Sequence, residues 1–182
     1  KMIMVVLTEN KGPLGNGVCP VLEILDVINV LNPKEKGPKY LEEKSLNLSG
    51  EILEMTGKSK KGMGIELARQ ILYSGKAFEK FKEIIKAQGG SLNFEKLKPA
   101  KFKKEIRAKR SGRILEIDNK KINLLARTTG CPADKSSGLY INFNVGDKVK
   151  SGQKLITLYS NSKSRLIQAE KFYKKENPFN IR

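Results

Sequence analysis

One short stretch holds most of the residues whose types and spacing could meet a ligand. Gly12-Pro13-Leu14-Gly15-Asn16-Gly17 follows an apolar run and precedes a helical repeat. Glycines at such a place let the backbone approach a bound group closely, and the N-terminus of the following helix favours an anion. The spacing is neither Gly-x-Gly-x-x-Gly nor a Walker loop ending in Lys-Ser/Thr. A tight strand-to-helix turn accounts for the same glycines without a ligand. Glu23 and Asp26 stand three apart in the helix that follows, so both can face one side. A paired-carboxylate role and a solvated helix face both fit that spacing.

Other chemistry is excluded by what the chain lacks. It has no histidine, which removes Ser-His and Cys-His catalysis. With no Cys-x-x-Cys either, zinc ligation is not expected. The two cysteines, Cys19 and Cys131, are expected to be reduced, buried thiols of a cytoplasmic protein. No apolar run approaches the ~20 residues of a membrane-spanning helix. The opening Lys-Met-Ile-Met-Val-Val-Leu does not read as a signal peptide. The formal charge is +17, from 36 Lys and Arg against 19 Asp and Glu. Such a charge fits nucleic-acid binding, and it equally fits a lysine-rich surface. The densest basic run, Lys96 to Arg110, has few aromatics on which bases could stack, so no nucleic-acid partner is expected.

The elements that must position these residues follow from periodicity. Ile3 to Thr8 is a continuous apolar run, suited to a buried parallel strand. Its partner strands are not evident downstream, so the sheet is expected upstream of Lys1 and the chain reads as truncated. After the glycine-rich turn, Lys11 to Gly17, the positions Val18, Val21, Leu22, Leu25, Ile28 and Leu31 repeat as in a helix that ends at Asn32-Pro33. Three further helices are expected: Tyr40 to Thr56, Gly64 to Ser74, and one from Ala77 to Gln88. Each stops at glycine, as left-handed C-terminal caps do. From Lys96 the pattern changes. Glu105 to Ala108, Gly112 to Ile117, Leu139 to Val145 and Leu155 to Tyr159 read as strands, with helices at Asn119 to Thr128 and Ser162 to Lys175. The fold class is α+β, in two domains: residues 1–95, the mostly helical tail of a larger α/β domain, and residues 96–182, a C-terminal α+β domain.

Val145 to Leu158, with Ser111-Gly112-Arg113-Ile114, resembles the biotinyl/lipoyl type of β domain, in which Gly-Asp-x-Val-x-x-Gly-x-x-Leu turns between short strands of a barrel-sandwich. A swinging-arm carrier would need an attachment lysine. Ser162 falls where a biotin domain has it, and Asp134-Lys135, which looks like a lipoyl Asp-Lys, precedes the Gly-Asp turn. The architecture is therefore expected without the attachment chemistry.

In order along the chain, five pieces resemble the C-terminal part of the thymidine/pyrimidine-nucleoside phosphorylase family. They are Gly12-Pro13-Leu14-Gly15 with Leu22-Glu23; Gly75-Lys76-Ala77 followed by Phe81; Ala87-Gln88-Gly89-Gly90; Ser111-Gly112-Arg113-Ile114 with Glu116-Ile117-Asp118; and Val145-Gly146-Asp147. Gly130-Cys131-Pro132-Ala133-Asp134-Lys135-Ser136-Ser137-Gly138-Leu139-Tyr140 looks like the archaeal AMP phosphorylase branch. The resemblance implies a transferase that cleaves an N-glycosidic bond with phosphate. For a nucleoside 5′-monophosphate the products would be free base and ribose 1,5-bisphosphate. The pyrimidine branch would instead give a (deoxy)ribose 1-phosphate.

The family's phosphate loop, base-binding set and proton donor have no matching segment here, so no catalytic or substrate-binding residue carries over and the chain alone is expected to be inactive. One site does carry over. The resemblance implies a potassium ion held by the carbonyls of Leu14 and Gly17 and the carboxylate of Asp26, where the family has Glu. No other cofactor is implied, and phosphate is a co-substrate. Expected partners are the nucleotide or nucleoside and further copies of the chain, with no membrane. A basic nucleic-acid-binding protein is the reading outside the family.

Overall fold

A computed structural model describes residues 3–8 and 12–182. Lys1, Met2 and Lys11, used in the sequence reading, lie outside the described residues. The class is α+β, and the chain divides into two compact units. One holds Asp26–Phe94 and the N-terminal Ile3–Thr8 run. The other holds Glu95–Arg182 together with the segment ending at Leu25.

The first unit is helical. It takes the C-terminal half of α1 (Pro20–Leu31), then α2 (Lys39–Met55), α3 (Gly64–Tyr73) and α4 (Lys76–Ala87). Leu46, Ala68 and Leu72 form its buried centre, with Leu31, Leu53 and Ala77 packed around them. Helices α2 and α3 meet where both are bare. A Cβ on Gly50 would stand 2.6 Å from the Ile65 amide nitrogen, and one on Gly64 would press on the Gly50 carbonyl. The Glu54 carboxylate accepts a hydrogen bond from the Gly64 amide at 2.8 Å and so satisfies the start of α3. Gly75, at φ 80°, both stops α3 and opens α4, as its position between two helical runs predicts.

The Ile3–Thr8 run is not a strand. It is irregular and exposed, with Leu7 at 95%. The apolar pattern that suits a buried strand has no partner here, because no strand among the described residues pairs with it. A strand without a neighbour leaves its backbone groups to water.

The second unit has two antiparallel sheets. β1 (Gly17–Val18), β4 (Gly138–Ile141), β6 (Lys154–Ser160) and β2 (Phe102–Arg107) form one, in the order β1-β4-β6-β2. β5 (Lys148–Val149), β3 (Gly112–Ile117) and β7 (Phe179–Ile181) form the other, in the order β5-β3-β7. Helices α5 (Asn119–Thr129) and α6 (Lys163–Glu176) pack on each other and on the four-stranded sheet. Asp118 accepts from the Lys121 amide and Ser162 from the Arg165 amide, so both helices begin on a side-chain cap. One apolar cluster draws Ile114, Ile117, Val149 and Phe179 from the smaller sheet, Leu139, Ile156 and Leu158 from the larger, and Leu125 and Ala169 from the helices.

Three sequence expectations change in this unit. Helix α1 opens at Pro20 rather than Val18, because Gly17 and Val18 pair with Tyr140 and Leu139 as an edge strand. The strand expected to reach Val145 ends at Ile141, where pairing with β6 stops. Cys19 and Cys131 are not free thiols. They form a disulfide across a sequence separation of 112, with Cα atoms 6.2 Å apart. The β1–β4 pairing places Cys19 beside the loop that begins at Gly130, and sequence distance gave no hint of that proximity.

Candidate functional site

The glycine-rich turn is explained largely by packing. Gly17 lies against the first turn of α1, where a Cβ would come within 2.8 Å of the Leu22 Cβ and closer still to its carbonyl. No larger residue fits there without moving the helix. Asn16 donates its side-chain amide to the Tyr140 hydroxyl at 3.2 Å, and its carbonyl accepts the Ile141 amide at 2.8 Å. The turn is thus stitched to β4. Leu14 is 41% exposed.

The carboxylates of α1 divide in role. Glu23 accepts the Cys19 amide at 2.8 Å, while the Glu23 amide donates to the Cys19 carbonyl at 2.9 Å. That reciprocal pair satisfies an end of the helix, much as a capping box does. Glu23 is therefore not one half of a paired-carboxylate site. Asp26 is 2% exposed. Leu14 and Gly17 belong to the second unit and Asp26 to the first, and the chain passes between them within α1. Two carbonyls and a carboxylate are hard oxygen donors, the chemistry a monovalent cation takes. Among the described residues no three His, Cys, Asp or Glu side chains gather as metal ligands.

A polar cluster with several side-chain hydrogen bonds lies elsewhere, in the loop between α5 and β4. Asp134 accepts from the Ser137 hydroxyl at 2.7 Å, the Ser136 hydroxyl at 2.8 Å, the Ser136 amide at 3.1 Å and the Asn161 side-chain amide at 2.9 Å. The Ser137 hydroxyl first, then the Ser136 and Asn161 donors, hold its carboxyl down at about 2 against the opposing effect of partial burial. The loop reaches both ways. The Lys135 carbonyl accepts the Val21 amide at 3.1 Å, and the Ser136 carbonyl accepts the Ala100 amide at 2.9 Å. Asn161 in turn accepts the Lys101 amide at 3.1 Å. Asp134 therefore fixes the start of α1, the entry to β2 and the entry to α6.

Ser162 caps α6 and offers no amine, and Lys135 sits in the Asp134 loop, whose backbone is spent on α1. The motif Asp-x-Ser-Ser signals a local side-chain-to-backbone turn. Asn161 as its long-range partner carries no signal, since 27 residues separate it from Asp134.

Two further acidic groups of this unit, Glu105 and Glu170, are held by lysine and arginine. Glu105 meets Lys154 at 2.8 Å and Arg107 at 2.6 Å, and Lys154 chiefly lowers its carboxyl. Glu170 meets Lys174 at 3.0 Å and Lys104 at 3.2 Å. Burial alone pushes the Tyr173 phenol up to about 12. These arrangements build structure. No nucleophile and base are brought together among them.

Comparison with known proteins gives the geometry its context. Residues 114–180 match the family described as the pyrimidine nucleoside phosphorylase C-terminal domain. The chain is 41% identical over 181 residues to a protein of Pyrococcus abyssi named AMP phosphorylase, covering 98% of this chain and 36% of that protein. Over 177 residues it is 37% identical to an AMP phosphorylase of Methanococcus aeolicus, covering 97% and 35%. A putative thymidine phosphorylase of Legionella pneumophila is 38% identical over 168 residues, covering 92% and 32%. The chain thus spans about a third of the length of the curated relatives it matches.

Proposed function

Because this chain belongs to the pyrimidine nucleoside phosphorylase family, we propose that it is the C-terminal portion of an enzyme that cleaves AMP with phosphate. The observation that carries this reading is the 37–41% identity to AMP phosphorylases along nearly the whole chain. In the reaction a phosphate oxygen forms a bond to C1′ of the ribose as the bond from C1′ to the base nitrogen breaks. The departing base takes up a proton and leaves as adenine, with ribose 1,5-bisphosphate as the other product. Positioning phosphate, stabilising its charge and protonating the base are the tasks of such a catalyst.

The residues of this chain serve that reaction indirectly. They complete and brace the enzyme's cleft, move with its closure and support its association into oligomers in the cytoplasm. Turns at Gly146 and Gly152 support a biotinyl/lipoyl-like arrangement of the short strands. Leu14, Gly17 and Asp26 are the residues we assign to a potassium ion. Oxygen donors suit that ion, and burial of Asp26 keeps its carboxylate from bulk water.

A thymidine or pyrimidine-nucleoside phosphorylase is the second reading, favoured by the Legionella relative. The deciding experiment measures phosphate-dependent base release from AMP, CMP, uridine and thymidine by the full-length protein that carries this chain, with the 182-residue chain as control. Adenine from AMP and a silent control are expected. Release from thymidine or uridine but not AMP would select the second reading, and turnover by the control would place catalytic groups in this chain.

A further inference from the structure

Charge is unevenly divided. Glu95–Arg182 carries 22 Lys and Arg against 8 Asp and Glu, a net +14, whereas Asp26–Phe94 carries 12 against 9, a net +3. The sequence argued against nucleic acid because its densest basic run has few aromatics, Phe102 alone among Lys96 to Arg110. The structure supplies the missing juxtaposition. Phe102, at the start of edge strand β2, is half-buried with part of its ring packed on the core, and the Lys101 and Lys163 ammonium groups stand 5.5 Å and 5.2 Å from its ring centroid. Lys163 comes from α6, about 60 residues on, and no spacing rule links it to that run.

The basic surface continues along α6. Lys163, Ile167, Lys171 and Lys174 recur at steps of four, four and three, which places them on one side of the helix. From Lys163 to Lys174 that row spans about 16 Å at 1.5 Å per residue. Lys104 on β2 joins it through Glu170, which both Lys104 and Lys174 contact. All these lysines are exposed, and the acidic groups of the two elements are Glu105, paired with Arg107 and Lys154, Glu170, and Glu176 at the end of α6.

We propose that the edge formed by β2 and α6 binds single-stranded nucleic acid, with Phe102 as the stacking ring and Lys101, Lys163, Lys171 and Lys174 against the phosphates. A ring flanked by ammonium groups offers the two contacts that single strands take, base stacking and backbone neutralisation. A membrane surface fits less well. Leu166, Ala169 and Tyr173 of α6 are turned inward, and the single exposed Ile167 is too little apolar surface for a helix to lie in lipid.

The test is fluorescence anisotropy of labelled 15-nucleotide oligothymidylate with this chain, titrated between about 50 and 200 mM salt. Saturable binding is expected, with log affinity falling against log salt at a slope of about −3 for four or five phosphates. The variant K101E/K163E/K171E should weaken binding at least about tenfold and flatten the slope, whereas K58E/K60E/K61E on the helical unit should leave it nearly unchanged. Phe102→Leu should weaken binding about fivefold or more at an unaltered slope, since stacking is uncharged. Thermal melts of each variant show that the fold is intact. No saturable binding at the lowest salt, or equal weakening by both triple variants, would overturn the proposal. The lysines would then serve only to keep the β2 edge from pairing with other chains.

Discussion

The two units solve the packing problem differently. The β-rich unit buries twenty residues in one cluster, among them Ile114, Leu125, Leu139, Ile156 and Leu158 with no accessible surface. The corresponding cluster of the helical unit holds three, beside an apolar pocket of about 370 Å³ lined by Val30, Leu41, Ile52 and Ile71. Its helices lean on close backbone approach at Gly50 and Gly64; the other unit has such approaches at Gly17, Gly112 and Gly138, and adds a far larger apolar cluster and a covalent tie. Dense packing makes a structure sensitive to lost volume, and bare crossings make it sensitive to added volume.

Four experiments break or sharpen that contrast. The largest effect is expected from the tie. Reduction, or Cys131→Ser, should destabilise the β-rich unit by about 4 kcal/mol in urea unfolding, because the loop it closes is long. An unchanged midpoint under reductant would show that the tie adds nothing there. Next, Leu125→Ala should cost about 3 kcal/mol, and Leu72→Ala in the helical unit about 2, since the open pocket around Leu72 lets neighbours collapse. Equal losses would erase the distinction. Gly64→Ala inverts the test. It adds one carbon against the Gly50 carbonyl and should cost the helical unit about 2 kcal/mol, seen as a lower melting temperature.

The smallest effect is a pH dependence. Asp134 has a folded value of about 2, below the ordinary 3.8, so the stability it supplies is present above about pH 4 and is lost as pH falls toward 2. From 3.8 to about 2, at 1.36 kcal/mol per pH unit, the ceiling is about 2.4 kcal/mol, and solvent screening of this partly exposed carboxylate keeps the loss below it. Asp134→Asn should flatten this part of the stability profile of the β-rich unit. The Gly62 and Gly64 amides lower Glu54 in the same direction, so the helical unit also weakens in acid, by a solvent-screened amount. A profile that stays steep in the Asp134→Asn protein would shift the effect to another carboxylate.

Legibility follows the same division. Helices α2, α3 and α4 were readable because apolar periodicity and the stops at Gly57, Gly75 and Gly89 are local. So were β3, α5 and α6, whose caps Asp118 and Ser162 stand beside the helices they open. What was not readable depends on partners far along the chain. Two-residue β1 exists only because β4 accepts it, and β7 only because β3 does. The Cys19–Cys131 pair and the grip of Asn161 on Asp134 are likewise products of the fold. The Ile3–Thr8 run misled for the converse reason. Its residues suit a strand, and a strand needs neighbours as much as composition. Leu14, Gly17 and Asp26 enter the proposed cation site through the family resemblance alone, whereas the packing reason for Gly17 was not legible, because it lies in the Leu22 carbonyl.

The position of β7 bears on how this unit comes into being. Strand β3 occupies the middle of its sheet, and one whole side of it is supplied by Phe179–Ile181, with the Arg113 and Arg182 backbones exchanging hydrogen bonds at the end of the pair. During translation β3 emerges roughly 60 residues before its partner, which is about 3–12 s at 5–20 residues per second. For that interval the nascent sheet presents an unsatisfied edge to every other chain on the polysome. A cell making this protein has either to shield that edge or to make the last strand quickly, and slow codons between Asp118 and Pro178 would lengthen the exposure.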